Sequence, residues 1–340
     1  MILKKKYETG VKYWLYFLLL TLGLIVLIGG LTRLTDSGLS ITKWEVISGI
    51  LPPLNSADWE KVFALYKKIP QYHLLNSNIT LEKFKVIYYW EYFHRLLGRF
   101  FGLLFLIPFC YFLIKKIFDK EYNINFGVLF FLILLQGFIG WYMVQSGLTK
   151  NTTVSHFRLA IHLNLALILF SSILWYLFNF NSKKNKYFFS ILLGDNFIKF
   201  FIFLIFLQIT LGAFVSGLDA GKIYQTWPLM NYTYFPDDVD FNNISFKEIF
   251  HDPSWLQFLH RNLAYLIFIY SIMICIYIFY KKKETLYFPL SLVFSLLVLQ
   301  IIMGIVVLIS GLNIVYASMH QVFTIFLLSA SIYLYHKSIN

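Results

Sequence analysis

Residues 88–113 read YYWEYFHRLLGRFFGLLFLIPFCYFL. The run exceeds the roughly 20 helical residues that cross a hydrocarbon core about 30 Å thick, so it reads as a membrane span. Its first half nevertheless carries Glu91, His94, Arg95 and Arg99, and residues 255–264, WLQFLHRNLA, repeat part of that polarity with Gln257, His260 and Arg261. Working outward, comparable apolar stretches lie at 14–35, 125–145, 158–180, 197–217, 258–280, 286–309 and 314–336, which makes eight spans in all. The composition agrees: 59% hydrophobic, 20% aromatic and 14% charged residues exclude a water-soluble globule of 340 residues. The predicted fold class is an all-α integral membrane protein.

The basic start and apolar continuation of residues 1–34 resemble a signal peptide, but the apolar core is too long and no A-x-A-like cleavage site follows. It is read as a retained span. Lysine placement sets the orientation, because cytoplasmic loops keep positive charge. With the N-terminus inside, segments 1–12, 114–124, 181–199, 281–284 and 337 onward hold 15 Lys, no Arg and 5 acids, against 14 basic and 12 acidic residues elsewhere. Both termini are then expected inside, with the connections 36–87, 146–157, 218–257 and 310–313 outside. The net charge of +12 is thereby a matter of topology and gives no reason to expect nucleic acid. Cys110 and Cys275 both fall inside predicted spans, and no structural disulfide is expected.

The chain repeats itself. GGLTRLTDSGLSITKW (29–44) aligns with GAFVSGLDAGKIYQTW (212–227), matching Asp36, Gly38 and Trp44 to Asp219, Gly221 and Trp227. LLQGFIGWYMVQSGL (134–148) aligns with VLQIIMGIVVLISGL (298–312), matching Gln136 to Gln300 and Gly140 to Gly304. Polar and glycine positions agree as well as leucines do, which chance similarity between apolar helices does not produce. Two pseudo-symmetric parallel four-helix bundles are expected, residues 1–180 and 181–340, because each copy contains an even number of spans.

Of eight histidines, His73, His156, His251 and His336 fall in or beside connections, where a solvated imidazole is the ordinary reading. His94, His162, His260 and His320 instead begin the four even-numbered spans, at similar depth, and the duplication maps His94 onto His260 and His162 onto His320. One such histidine is as readily an interhelical hydrogen bond as a ligand. Two pairs related by a repeat point to a planar iron porphyrin gripped from both sides in each half. A carboxylate-bridged di-metal site needs more acids than the spans supply. Arg95 and Arg261 lie where they reach haem propionates. Arg99, deeper in its span, fits either that role or snorkelling to the interface. Glu91 precedes His94 by three residues and shares its helix face, whereas the matching Gln257 cannot take a proton. Either Glu91 equips one half for proton transfer, or it pairs with Arg95.

With these motifs assembled, EYFHRLLGR, HFRLAIHLNLAL, FLHRNLAYL and ASMHQVFTI, together with 29–44, make nearly the whole chain resemble the haem A synthase family of the mitochondrial and proteobacterial type. The resemblance implies oxidation of the C8 methyl group of haem O to the formyl group of haem A, for cytochrome oxidase biogenesis. It also implies one half with a bound haem b cofactor and one with the substrate. His94 and His162 would then flank haem O with Glu91 as catalytic carboxylate, and His260 and His320 would be the iron ligands of haem b. Gram-positive members carry a cysteine pair in the first outer loop, and DSGLSITKWEVISGILPPLN has none, so no loop thiol chemistry is expected.

A dihaem b-type electron-transfer protein, such as a quinol-linked cytochrome subunit, accounts for the histidine pairs equally well and leaves Glu91 without chemistry. A parallel-repeat transporter accounts for the duplication but not for four histidines at one depth. The expected setting is a bacterial inner membrane, with the mitochondrial inner membrane as alternative. The partners implied are the lipid bilayer, a haem O synthase, cytochrome oxidase assembly factors and further copies of the chain. The stretch LNSADWEKVFALYKKIPQYHLLNSN suggests a short amphipathic helix outside the membrane.

Overall fold

The computed structural model describes residues 4–45, 48–149, 151–182, 185–188, 196–239 and 248–339. Among these, ten α-helices follow one another: α1 Glu8–Leu34, α2 Ser56–Tyr66, α3 Pro70–Leu75, α4 Leu81–Ile114, α5 Lys120–Gln145, α6 His156–Ser182, α7 Asn196–Gly217, α8 Pro253–Tyr280, α9 Tyr287–Ile309 and α10 Ile314–Ser338. All but α2 and α3 are long and apolar enough to cross a membrane, and they coincide with the eight expected spans. Their surfaces agree with lipid as solvent: Leu20 is 69% exposed, Ile107 65%, Ile276 64% and Phe288 70%. In water such a surface would be an aggregation site; in a bilayer, helices with every backbone group paired internally are what the solvent demands.

Helices outrun the spans because hydropathy reports the apolar stretch and capping reports the helix. α4 starts seven residues before its span, where Thr80 Oγ1 accepts the Lys83 amide at 3.4 Å. α8 starts at Pro253, behind Asp252, whose Oδ1 accepts the Trp255 amide at 2.7 Å. The ends repeat too. Lys116 and Lys282 both take a left-handed φ of 50° after α4 and α8. The next amides reach back five residues, Ile117 to the Phe112 carbonyl at 3.0 Å and Lys283 to that of Ile278 at 3.1 Å, the Schellman pattern in both places. The aligned Asp36 and Asp219 are likewise left-handed, with φ of 50° and 54°.

The chain divides into two compact units, Met1–Leu169 and Phe170–Asn340, the division falling inside α6. In the first, α1 and α5 pack on α4. The expected short helix in the first long connection is a pair, α2 and α3, seated on the extension of α4: Trp59 meets Tyr88 at 5.0 Å between ring centres, and Phe63 and Tyr66 meet Phe84 at 4.9 and 5.0 Å. Tyr66 is fully buried. Its hydroxyl donates to Gln71 Oε1 at 3.1 Å and accepts from Asn76 Nδ2 at 2.7 Å, while Gln71 Nε2 ties the pair to the Asp36 carbonyl at 3.1 Å. Burial pushes the Tyr66 phenol up from its ordinary pKa.

In the second unit α7 packs with α8 and α10, and α9 with α10. The end of α6 joins it, which corrects one expectation. His336 is not solvated but 3% exposed, with Nε2 3.0 Å from Asn179 Oδ1 and its ring edge-on to Trp175. His156 is also buried, against Phe157. Both lie on helices that extend past their apolar stretches, so proximity to a connection did not mean exposure.

Candidate functional site

Each helix bearing one of the four span histidines meets a glycine of the helix before it. A Cβ added to Gly29 in α1 would lie 2.7 Å from His94 Cε1; the corresponding distances are 3.0 Å for Gly140 and His162, 3.2 Å for Gly212 and His260, and 3.1 Å for Gly304 and His320. Only a residue without a Cβ lets the imidazole sit against the neighbouring backbone. Four residues before three of these glycines stands a glutamine on the same helix face. Its Nε2 donates to the backbone carbonyl of the histidine: Gln136 to His162 at 2.9 Å, Gln208 to His260 at 2.9 Å and Gln300 to His320 at 3.0 Å. The same Nε2 lies 3.4 Å from the histidine Nε2 in all three. The place of the fourth glutamine, four residues before Gly29, is held by Ile25.

The unit of repetition is thus a helix hairpin, Gln-x-x-x-Gly followed by His, occurring four times and altered once. Sequence comparison by halves found Gln136, Gln300 and their glycines only as matching positions. The glutamine-to-glycine spacing before three of the four histidines is the signal for Gln208 and for the odd position at Ile25.

His94 and His162 face one another with ring centres 6.5 Å apart and planes at 69°. That is too far for a hydrogen bond, and it suits one metal ion between two imidazole nitrogens, each metal–nitrogen bond being about 2 Å. Nδ1 of all four histidines and Oε1 of Gln136, Gln208 and Gln300 are buried without a hydrogen-bond partner at normal distance and angle. Buried polar atoms in such number ask for a ligand. Paired neutral imidazoles in glycine-walled, apolar helix bundles fit a haem in each unit. Among the described residues no group of three or more His, Cys, Asp or Glu side chains is placed to hold an ion by itself.

At the rim the units share a frame. Arg95 Nη2 donates to the Ile41 carbonyl at 3.0 Å, and Arg261 Nη2 to that of Tyr224 at 3.0 Å; Ile41 and Tyr224 are aligned positions of the repeat. Both guanidiniums therefore hold connecting segments, assisted by contacts from Arg95 Nη1 to the Lys43 carbonyl at 3.4 Å and from Arg261 Nη1 to that of Leu229 at 3.3 Å. Arg95 also stacks over Trp44, 4.7 Å from the ring centre. Arg99 Nη2 and the Tyr92 hydroxyl fasten the same strap farther along, at the carbonyls of Glu45 (2.8 Å) and Ile50 (2.7 Å).

Within this frame the acid of the first unit is replaced by an amide in the second. Glu91, 3% exposed, accepts at Oε1 from Arg95 Nη2 at 2.5 Å and at Oε2 from Ser40 Oγ at 2.7 Å and the Ile41 amide at 2.8 Å. Gln257, also 3% exposed, instead donates its Nε2 to the Tyr224 carbonyl at 2.9 Å, leaving Oε1 without a partner. A carboxylate accepts the amide of residue 41 where a carboxamide donates to the carbonyl of residue 224, so the exchange keeps the shape and changes the charge. Tyr224 continues the network in the second unit by donating to Asp237 and, at 2.8 Å, to Asp238; burial, and the hydrogen bonds the two carboxylates accept, push its phenol well up.

Among curated proteins, the chain is 47% identical over 338 residues to the heme A synthase of Pelagibacter ubique (strain HTCC1062), covering 98% of both chains. It is 41% identical over 338 residues to that of Ehrlichia ruminantium (strain Gardel), covering 96% of this chain and 93% of the relative. With that of Rickettsia bellii (strain OSU 85-389) it shares 40% over 331 residues, covering 95% and 96%. Residues 12–332 match the COX15-CtaA family, described as cytochrome oxidase assembly protein, and with nearly all of the chain inside that match it is a member of the COX15-CtaA family.

Proposed function

We propose that this chain oxidises the C8 methyl group of haem O to the formyl group of haem A, with haem O between His94 and His162 and haem b between His260 and His320. The observation that carries the assignment of roles is the Glu91 and Gln257 exchange inside otherwise matching frames. Taking a methyl group to the aldehyde level inserts one oxygen atom, passes four electrons in two stages to an external oxidant and releases protons at each. A haem b, when bound, supplies one-electron transfer, and the protein supplies position, proton handling and exclusion of water.

His94 and His162 orient the substrate, and the glycines behind them fix how deeply each imidazole sits. Glu91 takes a proton at Oε1, or balances positive charge developing at the reacting carbon. Ser40 Oγ and the Ile41 amide occupy Oε2, so Oε1 is the oxygen with room for a proton, and its one partner Arg95 keeps the Ile41 carbonyl as a second acceptor. Arg95 and Arg261 hold the connecting segments at the two sites and would bind the propionates of a bound haem. Gln257 cannot ionise, so the haem b of the second unit is kept unchanged. The setting is a bacterial inner membrane with both termini cytoplasmic, as the bacterial relatives and the lysine distribution suggest.

The test is pigment analysis of the full chain produced with a supply of haem O. Extracts containing haem O and haem A, alongside haem B, support the proposal. Haem B alone would make the chain a dihaem electron carrier, in which the Glu91–Arg95 pair is purely structural. His260→Ala should remove the low-spin b signal while haem O binding persists; an unchanged spectrum would refute the ligand assignment.

A further inference from the structure

Three of the four histidine helices are pinned by a glutamine through the histidine's own carbonyl, and the fourth is not. Gln136, Gln208 and Gln300 each donate a bond of 2.9–3.0 Å to the carbonyl of His162, His260 and His320. A helical carbonyl has a second lone pair beyond the one used by the i+4 amide, and the glutamine fills it, tying the backbone at the ligand to the helix before it. At His94 the equivalent residue is Ile25, whose backbone lies within hydrogen-bonding reach of the imidazole as those of Gln208 and Gln300 do for His260 and His320, but whose side chain offers no donor to the His94 carbonyl. A side-chain brace between α1 and α4 lies a turn away, where Thr32 Oγ1 donates to the Trp90 carbonyl at 3.2 Å. A Cβ at Gly29 would also be the most crowded of the four, 2.7 Å from His94 against 3.0–3.2 Å at the other three. His94 therefore packs closely on the α1 backbone but is unpinned at its own carbonyl.

We infer that Ile25 makes His94 the releasable histidine of the four, and that Gln136, Gln208 and Gln300 are positioning residues that keep His162, His260 and His320 in place. The inference rests on the proposed haem sites and goes beyond them by assigning the face of the substrate at which an exogenous diatomic ligand enters. That face belongs to α4, the helix that also carries Glu91 three residues earlier, so the side opened by His94 is the side of the proposed catalytic carboxylate. The pinning glutamine on the other three ligands closes those faces, including both faces of the haem b site, which suits a group that only passes electrons.

The test reads carbon monoxide binding to the reduced, haem-loaded full chain in detergent. Binding requires a histidine to leave, so the affinity falls as the histidine is held more firmly. The wild type should show one class of site. Ile25→Gln should weaken that class about three- to tenfold, the worth of one interhelical hydrogen bond. Gln208→Ile should create a second class by unpinning His260. Ile25→Leu controls for volume and should match the wild type. An Ile25→Gln protein with full haem content and unchanged affinity overturns the inference while leaving the haem sites standing. A wild type that retains no haem removes the functional reading and this inference together. Should Ile25→Gln fail to hold haem, Gln208→Ile decides alone: a second class of site supports the inference and its absence overturns it.

Discussion

Alanine at the four histidine-facing glycines should produce a graded series rather than a uniform loss. A Cβ on Gly29 would stand 2.7 Å from His94 Cε1, and ordinary contact begins near 3.4 Å, so the imidazole or the helix must give way by about 0.7 Å. For Gly140 the shortfall is about 0.4 Å, for Gly304 about 0.3 Å and for Gly212 about 0.2 Å. A metal–ligand bond tolerates roughly 0.2 Å of error, so Gly212→Ala sits at the limit and Gly29→Ala far beyond it. Accommodating the methyl by moving a helix instead costs about 1–3 kcal/mol, as overpacking does. The assay is haem stoichiometry and the fraction of six-coordinate low-spin signal in the four purified variants. Haem retention should fall in the order Gly212→Ala, Gly304→Ala, Gly140→Ala, Gly29→Ala, with Gly29→Ala losing low-spin signal from the first unit alone. Equal retention in all four, or greatest loss at Gly212→Ala, would refute the claim that these glycines set ligand depth.

The remaining predictions concern the connections. Tyr66→Phe removes a buried hydroxyl that links Gln71 and Asn76 and should destabilise the α2–α3 element by about 1–2 kcal/mol, read as faster proteolysis of residues 51–80. Because burial raises the folded-state phenol above its unfolded value near 10, its contribution is intact below about pH 10 and is lost as pH rises beyond it; the Phe variant should lack that alkaline sensitivity, and an identical profile would remove Tyr66 as its source. A cysteine at Leu54, 75% exposed, in a Cys110- and Cys275-free background should react with a membrane-impermeant thiol reagent from the periplasmic side, and one at Lys282 should not. Reversed labelling would invert the topology.

The spans were legible because about 20 apolar residues have few other uses, and the duplication because glycines and polar residues recurred with the leucines. What composition did not reveal is set by hydrogen bonds between distant residues. Nothing local says that Gln208 reaches the His260 carbonyl 52 residues on, or that Ser40 and Ile41 close over Glu91. The shared helix face of Glu91 and His94 was readable, but the carboxylate's actual partners lie in the connection after α1. His336 was misread because a histidine near the chain end looks solvated until α6 and α10 are seen to pack there.

The measurement closest to the central claim is the haem extracted from cells carrying Glu91→Gln beside wild type, with the low-spin b signal recorded on the same preparations. The substitution copies what Gln257 already does in the second unit, so the fold and haem b should persist. Haem A should vanish, with haem O or a partly oxidised form accumulating in its place. Haem A at the wild-type level in that variant would contradict the account.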